Sequence, residues 1–179
     1  MIIIIIALLG ESASGKSTIE KEICKKYGYK RIVSYTTRPP RIGEKNGIDY
    51  YFVTNEDFNE MIENGYMVEH ANYNGWQYGI TKQDCRDDGV VVLTPHGLRN
   101  LKKITSADVY SFYINVPRRE RLIQALKRGD DIDESIRRNL SDVGMFDGME
   151  DEVDKVIFNN GYKKTPEDIC NEIFDEIRR

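Results

Sequence analysis

The chain begins with an uninterrupted apolar run that ends at a short loop containing two glycines. Residues 1–9 are all apolar and include five consecutive isoleucines, and the letters that follow are GESASGKS. A secretory signal would carry positive charge ahead of the apolar run, and a membrane-spanning helix would need roughly 20 apolar residues. The β-branched run that stops at Gly10 instead predicts a central strand of a parallel sheet, covered by helices on both faces.

Beyond this strand, apolar positions recur with helical spacing in some segments and with strand spacing in others. Helices are predicted at 17–27, at 54–65, in a short stretch through Leu98 and Leu101, at 117–128, after the polar turn 129–135, and at 165–179. Strands are predicted after Arg31, at 48–53, twice within 66–80, and at 90–94, 108–116 and 155–160. Strands that alternate with helices imply an α/β fold with a mostly parallel sheet, and the strand-rich middle third predicts an antiparallel insertion.

Local signals mark the ends of several predicted elements. Thr54 with Asp57 three residues later resembles a capping box, and Thr165 followed by Pro166 marks the start of the last helix. Asn74-Gly75 predicts a tight hairpin turn, because both residues tolerate positive φ.

Composition narrows the classes of partner. The chain has 179 residues, which suits one domain, with 26 basic and 30 acidic residues. A nonspecific nucleic-acid binder would normally carry a basic surplus, so the composition argues against that class and is compatible with a small anionic ligand held by a local basic cluster. Three widely spaced cysteines without a CxxC pair predict neither a disulfide framework nor a zinc site, and they favour the reducing cytoplasm. We expect no membrane association.

The loop that follows the first strand matches a phosphate-binding pattern. Residues 10–17 fit G-x-x-x-x-G-K-[ST] and lie after a predicted strand and before a predicted helix. In such a loop backbone N–H groups surround an anion, Lys16 reaches the β- and γ-phosphates, and the Ser17 hydroxyl binds Mg²⁺. The sequence therefore predicts a P-loop fold that binds a nucleoside triphosphate, most simply ATP.

A second anion site is suggested by an arginine-rich loop. Ser34, Arg38, Arg41 and Tyr50 lie within one excursion from the sheet, where they could converge on a second phosphate through charge-assisted hydrogen bonds. An exposed basic loop would show the same residues, and the pattern alone does not separate the two interpretations.

At this point the sequence resembles the guanylate kinase family over nearly its whole length. The resemblance rests on GESASGKST, VSYTTRPPRIGEKNGIDYYFV, MVEHANYNGWQYG, RGDDIDESI and DKVIFNN, which occur in the family's order and at similar spacing. The second string is the most specific of them. The resemblance implies a three-layer P-loop fold with a parallel core sheet, a small mixed or antiparallel insertion that binds the acceptor nucleotide, and a helical lid. Its approximate boundaries are 1–30, 79–127 and 145–179 for the core, 31–78 for the insertion and 128–144 for the lid.

The resemblance also implies roles for individual residues. Donor ATP would be bound by Gly10, Glu11, Ser12, Ala13, Ser14, Gly15, Lys16, Ser17, Thr18 and Asn159, with Ser17 on the metal. Acceptor GMP would be bound by Ser34, Arg38, Arg41, Tyr50, Glu69, Tyr78 and Thr94. Glu69 would accept hydrogen bonds from the adjacent N–H groups of guanine, a donor pair that adenine does not have. The catalytic set would be Lys16, Arg38, Arg128 and Arg138, with Arg128 closing over the triphosphate.

Three departures from the family pattern concern the acceptor and the lid. Val92 and Thr94 stand where carboxylates are usual, with His96 in place of a glutamine, and Ile80 replaces a hydroxyl residue that donates to the guanine carbonyl. Asn139 stands where the family has an arginine, which leaves Arg137 and Arg138 as neighbouring candidates.

The function predicted is Mg²⁺-dependent phosphorylation of GMP or dGMP by ATP, by a monomer or weak dimer. An alternative keeps the chemistry and changes the acceptor to another nucleoside monophosphate or a phosphorylated sugar. A third reading is a non-catalytic module that binds proteins, but the complete phosphate loop and the Arg38–Arg41 pair argue against it.

Overall fold

The computed structural model describes residues 2–73 and 75–179, and it arranges their strands in two sheets. The strands are β1 (Ile4–Leu9), β2 (Lys30–Arg31), β3 (Tyr35–Thr36), β4 (Tyr51–Phe52), β5 (Met67–Tyr73), β6 (Trp76–Thr81), β7 (Gly89–Val92), β8 (Asp108–Asn115) and β9 (Lys155–Phe158). The helices are α1 (Lys16–Tyr27), α2 (Asn55–Glu63), α3 (Pro95–Ile104), α4 (Arg118–Arg128), α5 (Ile132–Ser141) and α6 (Pro166–Ile177).

The first sheet is parallel, with strand order β2-β7-β1-β8-β9, so the isoleucine-rich strand lies at its centre as predicted. Successive side chains of β1 point to opposite faces of the sheet. Ile5, Ala7 and Leu9 pack in one hydrophobic cluster with α3, and Ile6 and Leu8 pack in another with α1 and α6. Because both faces are covered, the strand has no reason to alternate apolar with polar residues.

The second sheet contains the residues of the predicted insertion. Its order is β4-β3-β6-β5, in which β5, β6 and β3 pair antiparallel and β3 pairs with β4 in parallel. The sheet is therefore mixed. It reaches Thr81 at the end of β6, whereas Arg31 belongs to the edge strand of the parallel sheet.

Helix ends follow the local signals. Thr54 and Thr165 each form a capping box with the aspartate three residues later, Asp57 and Asp168. Helix α5 begins at Ile132, inside the segment predicted as a polar turn, because the Asp131 side chain accepts from the Glu134 N–H and caps it there. No helix in the described part of the chain is long and apolar enough to cross a membrane.

Two further predictions have a different outcome. The single strand predicted after Arg31 is divided between β2 and β3, which belong to different sheets. The hairpin turn predicted at Asn74-Gly75 lies partly outside the described residues, since Asn74 is not among them; Gly75 has a φ of 79°.

Candidate functional site

The phosphate-binding loop joins the carboxyl end of β1 to the first turn of α1. Gly10 (φ 148°) approaches its neighbours so closely that a Cβ there would lie 2.7 Å from the carbonyl oxygen of Ile114. A larger residue would displace the loop, so this glycine is required by packing as well as by its positive φ. The loop thus enters the cleft from a rigid strand in the core.

Lys16 is folded back over this loop. Its Nζ donates to the carbonyl oxygens of Gly10 and Glu11 at 2.6 and 2.8 Å, and contacts Ser14 Oγ at 3.3 Å. Burial lowers the pKa of the ammonium to about 8, while Asp142 and Glu11 oppose the shift. The group therefore remains mostly charged at neutral pH, and a phosphate would have to replace one of these three hydrogen bonds to reach it.

The arginine loop lies across the cleft from Lys16. Arg38 is buried, and its Nη2 donates to Glu44 Oε1 at 2.9 Å while its guanidinium lies 5.3 Å from the centre of the Tyr50 ring. The Tyr50 and Tyr78 rings meet edge to face with centroids 5.9 Å apart. Arg38 is therefore held in a fixed position by an acid and by aromatic faces, unlike an arginine of an exposed basic loop.

Arg41 connects this loop to the lid. Its Nη2 donates to Glu134 Oε1 at 2.8 Å. Glu134 also accepts two hydrogen bonds from Arg137, and these contacts lower the pKa of the carboxyl to about 2 despite some burial. Arg41 therefore shares an anionic partner with the lid helix α5.

Glu69, which the resemblance predicts to contact the base, lines the cleft. It lies on β5 beside an irregularity in the pairing with β6, and its side chain is only 4% exposed. Its Oε2 has no hydrogen-bond partner among the described residues, and burial raises the pKa of the carboxyl to about 7. A buried, unsatisfied carboxylate is costly in a folded protein, and a ligand that donates two N–H groups would satisfy it.

The residues beside Glu69 offer few other polar contacts. Ile80 is fully buried in the core, and the Thr81 hydroxyl donates to Asp84 Oδ2. The Thr94 hydroxyl accepts from Gly97 N at 3.1 Å and so caps α3, although it keeps a proton to donate.

The lid arginines converge on one acid. Arg128 Nε donates to Asp130 Oδ1 at 2.8 Å, and Arg138 Nη2 donates to Asp130 Oδ2 at 3.2 Å. Arg137 pairs with Glu134 instead, so Arg138 is the neighbour that faces the cleft. Asn139 is buried and accepts a hydrogen bond from Arg118 Nε, which joins α5 to α4.

These parts line one cavity of about 330 Å³. The predicted site residues that line it are Gly10, Ser12, Ala13, Ser14, Gly15, Lys16, Ser17, Thr18, Ser34, Arg38, Arg41, Tyr50, Glu69, Tyr78, Thr94, Arg128 and Arg138. Two others lie elsewhere. Glu11 accepts from Tyr113 and contacts Arg121, and Asn159 bonds the backbone of Lys164 before α6.

The structure also brings in residues that sequence reasoning missed. Tyr73 and Asp142 line the same cavity, and the Tyr73 hydroxyl donates to Asp142 Oδ1 at 2.9 Å. Arg121 donates a hydrogen bond to the Ser12 carbonyl oxygen of the phosphate-binding loop. Neither Arg121 nor Asp142 belongs to a pattern of fixed spacing with the loop, so no signal in the sequence indicates that they meet it.

A family model described as Guanylate kinase matches residues 3–176. The chain belongs to the guanylate kinase family. It is 37% identical to a guanylate kinase from Sus scrofa, over 76% of this chain and 73% of that protein. It is 33% identical to a guanylate kinase from Wolbachia sp. subsp. Brugia malayi, over 98% and 93% of the two chains.

The fold agrees with a solved structure from the same family. A crystal structure of guanylate kinase from Anaplasma phagocytophilum superposes with a TM-score of 0.70, at 23% identity, over 99% of this chain and 85% of that chain. At that identity the likeness supports the α/β fold with its parallel core sheet. The fold class and the family membership inferred from the sequence are therefore both confirmed.

Proposed function

We propose that the protein transfers the γ-phosphoryl group of ATP to GMP or dGMP, forming ADP and GDP or dGDP. The observation that carries the proposal is that one cleft holds a complete phosphate-binding loop, a second buried cationic site and an unpartnered base-reading carboxylate. The family relationship supports the same activity.

Each part of the cleft has a role in the proposed reaction. Lys16 neutralises the β- and γ-phosphates, and Arg38 and Arg41 hold the acceptor phosphate in line with them. The acceptor is already an anion, so no general base is needed, and positioning with charge neutralisation lowers the barrier. Arg128 and Arg138 would leave Asp130 for the transferring group as the lid closes.

Mg²⁺ is expected with ATP, and the donor set fits it. Mg²⁺ keeps several waters and takes few protein ligands besides substrate phosphates, and the Ser17 hydroxyl lies in the cleft to serve as one. Val92 and Thr94 bring no charge, so in our proposal the protein contributes mainly Ser17. When bound, the ion would neutralise phosphate charge.

The decisive experiment measures ADP release from ATP and Mg²⁺ across a panel of nucleoside monophosphates and phosphorylated sugars. We expect turnover with GMP or dGMP, and its loss in Lys16→Ala but not in Lys25→Ala, an exposed lysine on the same helix. Turnover with a different acceptor only would favour the alternative that Ile80 suggests, because no hydroxyl at that position reads the guanine carbonyl. Absence of turnover with every acceptor would contradict both.

A further inference from the structure

Two buried charged residues, Arg121 and Asp142, contact the phosphate-binding loop and have no role described above. Arg121 on α4 is 5% exposed, and Asp142 at the end of α5 is 6% exposed. Both contact the backbone of the same loop residue, Ser12. Arg121 Nη1 donates to the Ser12 carbonyl oxygen at 3.3 Å, and Asp142 Oδ2 accepts from the Ser12 N–H at 2.7 Å.

These contacts determine which way two peptide groups face. In a trans peptide the N–H points opposite to the preceding C=O, and the described chain has no cis peptide bond. The Glu11 carbonyl oxygen accepts from Lys16, so the Ser12 N–H points away from Lys16, to Asp142. The Ser12 carbonyl oxygen points to Arg121, so the Ala13 N–H points the opposite way.

The backbone at this point is strained and needs such support. Ala13 has a φ of 65°, in the left-handed region that is unfavourable for an L-residue other than glycine. Its carbonyl oxygen accepts from the Tyr162 hydroxyl at 2.6 Å. The carbonyl oxygens of Ser12 and Ala13 therefore both accept hydrogen bonds from side chains outside the loop. This arrangement leaves the Ala13 amide available to an anion.

Arg121 and Asp142 are themselves held in place. Arg121 Nε donates to the Val116 carbonyl oxygen at 3.0 Å, and its Nη2 lies 3.4 Å from Glu11 Oε1. The guanidinium and Asp142 are 3.8 Å apart, and Tyr73 donates to the other oxygen of Asp142. Each buried charge therefore has an opposite charge and hydrogen bonds, as burial requires.

We propose that Arg121 and Asp142 are positioning residues for the donor nucleotide, which orient the Ser12 peptide so that the Ala13 amide faces the triphosphate. The inference rests on the proposed function. Unlike the proposed function, it concerns only the binding of the donor, and it assigns to these two side chains an effect exerted through the backbone of the loop.

The test is the affinity for ADP with Mg²⁺, measured by calorimetry on the full chain without acceptor. Arg121→Met keeps the apolar stem and removes the charge, and Arg119→Met on the exposed side of the same helix is the matched control. We expect the Kd for ADP to rise about 10- to 100-fold in Arg121→Met, the value of one or two charge-assisted hydrogen bonds. The Kd for GMP and the Kd for ADP in Arg119→Met should stay unchanged.

Further variants separate positioning from general stability. Arg121→Lys should restore part of the ADP affinity, and Asp142→Asn, which keeps the side-chain volume, should weaken ADP binding as well. The effects of Arg121→Met and Asp142→Asn should be less than multiplicative when combined, since both act on Ser12. Wild-type ADP affinity in folded Arg121→Met or in Asp142→Asn, or an equal loss of ADP and GMP affinity in Arg121→Met, would overturn the inference.

The failure of this inference is distinguishable from failure of the proposed function. A wild-type protein that binds ADP through an Arg121-sensitive loop but phosphorylates no GMP or dGMP would contradict the function and support the inference. Normal GMP turnover together with normal ADP affinity in Arg121→Met would contradict the inference alone.

Discussion

Glu69 is buried although its Oε2 has no hydrogen-bond partner among the described residues, a cost to folding that base binding would offset in the proposed function. The carboxylate is nearly inaccessible, and burial raises its pKa to about 7. Only the ionised form can accept hydrogen bonds from both N–H groups of guanine. The protonation state of this one side chain should therefore determine how strongly the base is held.

The first prediction concerns pH. As pH rises from about 5 to above 7, Glu69 ionises and GMP affinity should increase, then level off, because the folded-state pKa is near 7. In Glu69→Gln the affinity for GMP should fall about 10- to 100-fold above pH 7. The acceptor phosphate also titrates at about pH 6 and affects both proteins alike. The difference between the pH profiles of GMP affinity for the wild-type protein and for Glu69→Gln therefore isolates the contribution of Glu69. Parallel profiles would show that Glu69 does not contact the base.

A second prediction concerns Gly97, the glycine of α3 that lies against this carboxylate. A Cβ on Gly97 would lie 2.9 Å from Glu69 Oε2, so Gly97→Ala should push the carboxylate aside while α3 gains a better helix former. We expect the KM for GMP to rise tenfold or more, in line with the roughly hundredfold cost of an approximately 1 Å misplacement. The Kd for ADP serves as the internal control. An unchanged KM for GMP would place the base elsewhere.

At the scale of elements, local sequence predicts where helices begin better than it predicts to which sheet each strand belongs. The two capping boxes need only residues three positions apart, and both are present. The division of one predicted strand into β2 and β3 depends on pairing with β7 and β6, which follow many residues later. Such non-local pairing leaves no periodic signal in two-residue strands.

A third prediction tests the cap of the last helix. Thr165 Oγ1 accepts from the Asp168 N–H at 3.1 Å, and the buried face of α6 packs in the same cluster as α1. Thr165→Ala should lower the free energy of unfolding by about 1 kcal/mol, measured in urea, whereas Thr165→Ser should keep most of it. The KM values should not change, because the cap lies outside the cleft. If Thr165→Ser lost as much unfolding free energy as Thr165→Ala, the hydroxyl would be excluded as the cause.

At the scale of the whole molecule, an ion pair between α1 and β2 connects the parallel sheet, through Arg31, to the segment that precedes β4. Glu20 on α1 is 1% exposed, and its Oε2 lies 2.8 Å from Arg31 Nε, close enough for an ion pair although not aligned as a hydrogen bond. Arg31 also donates to the carbonyl oxygens of Ile48 and Asp49. Burial raises the pKa of Glu20 to about 7, and Arg31 opposes that shift.

The fourth prediction follows from this pair. Arg31→Met removes the partner of the Glu20 carboxylate and should cost about 1 kcal/mol of unfolding free energy at pH 8, which the double variant with Glu20→Met should largely recover. The cost is limited because a carboxyl with a pKa of about 7 takes up a proton rather than staying charged and unpaired. At pH 5 Glu20 is already protonated in the wild-type protein, so the cost should be smaller still there. Urea unfolding of both variants at the two pH values checks this. An equal cost at both pH values would show that the charge of Glu20 is not the cause.

The sequence by itself determined the phosphate-binding loop, the central strand and the family, because each depends on residues close together in the chain. The loop geometry follows from Gly10, Lys16 and Ser17, and the strand's burial follows from its continuous apolar letters. The family motifs also located most of the residues that line the cleft.

Only the tertiary structure decided how these parts are held. Arg121 and Asp142 reach Ser12 from more than 100 residues away, and Glu11 turns from the cleft to Arg121. The tertiary structure also showed that Arg138 faces the cavity, whereas Arg137 pairs with Glu134. A buried charge is stable only beside an opposite charge or a hydrogen-bond partner. Which residue becomes that partner depends on how the elements pack together, and not on the spacing of residues within one element.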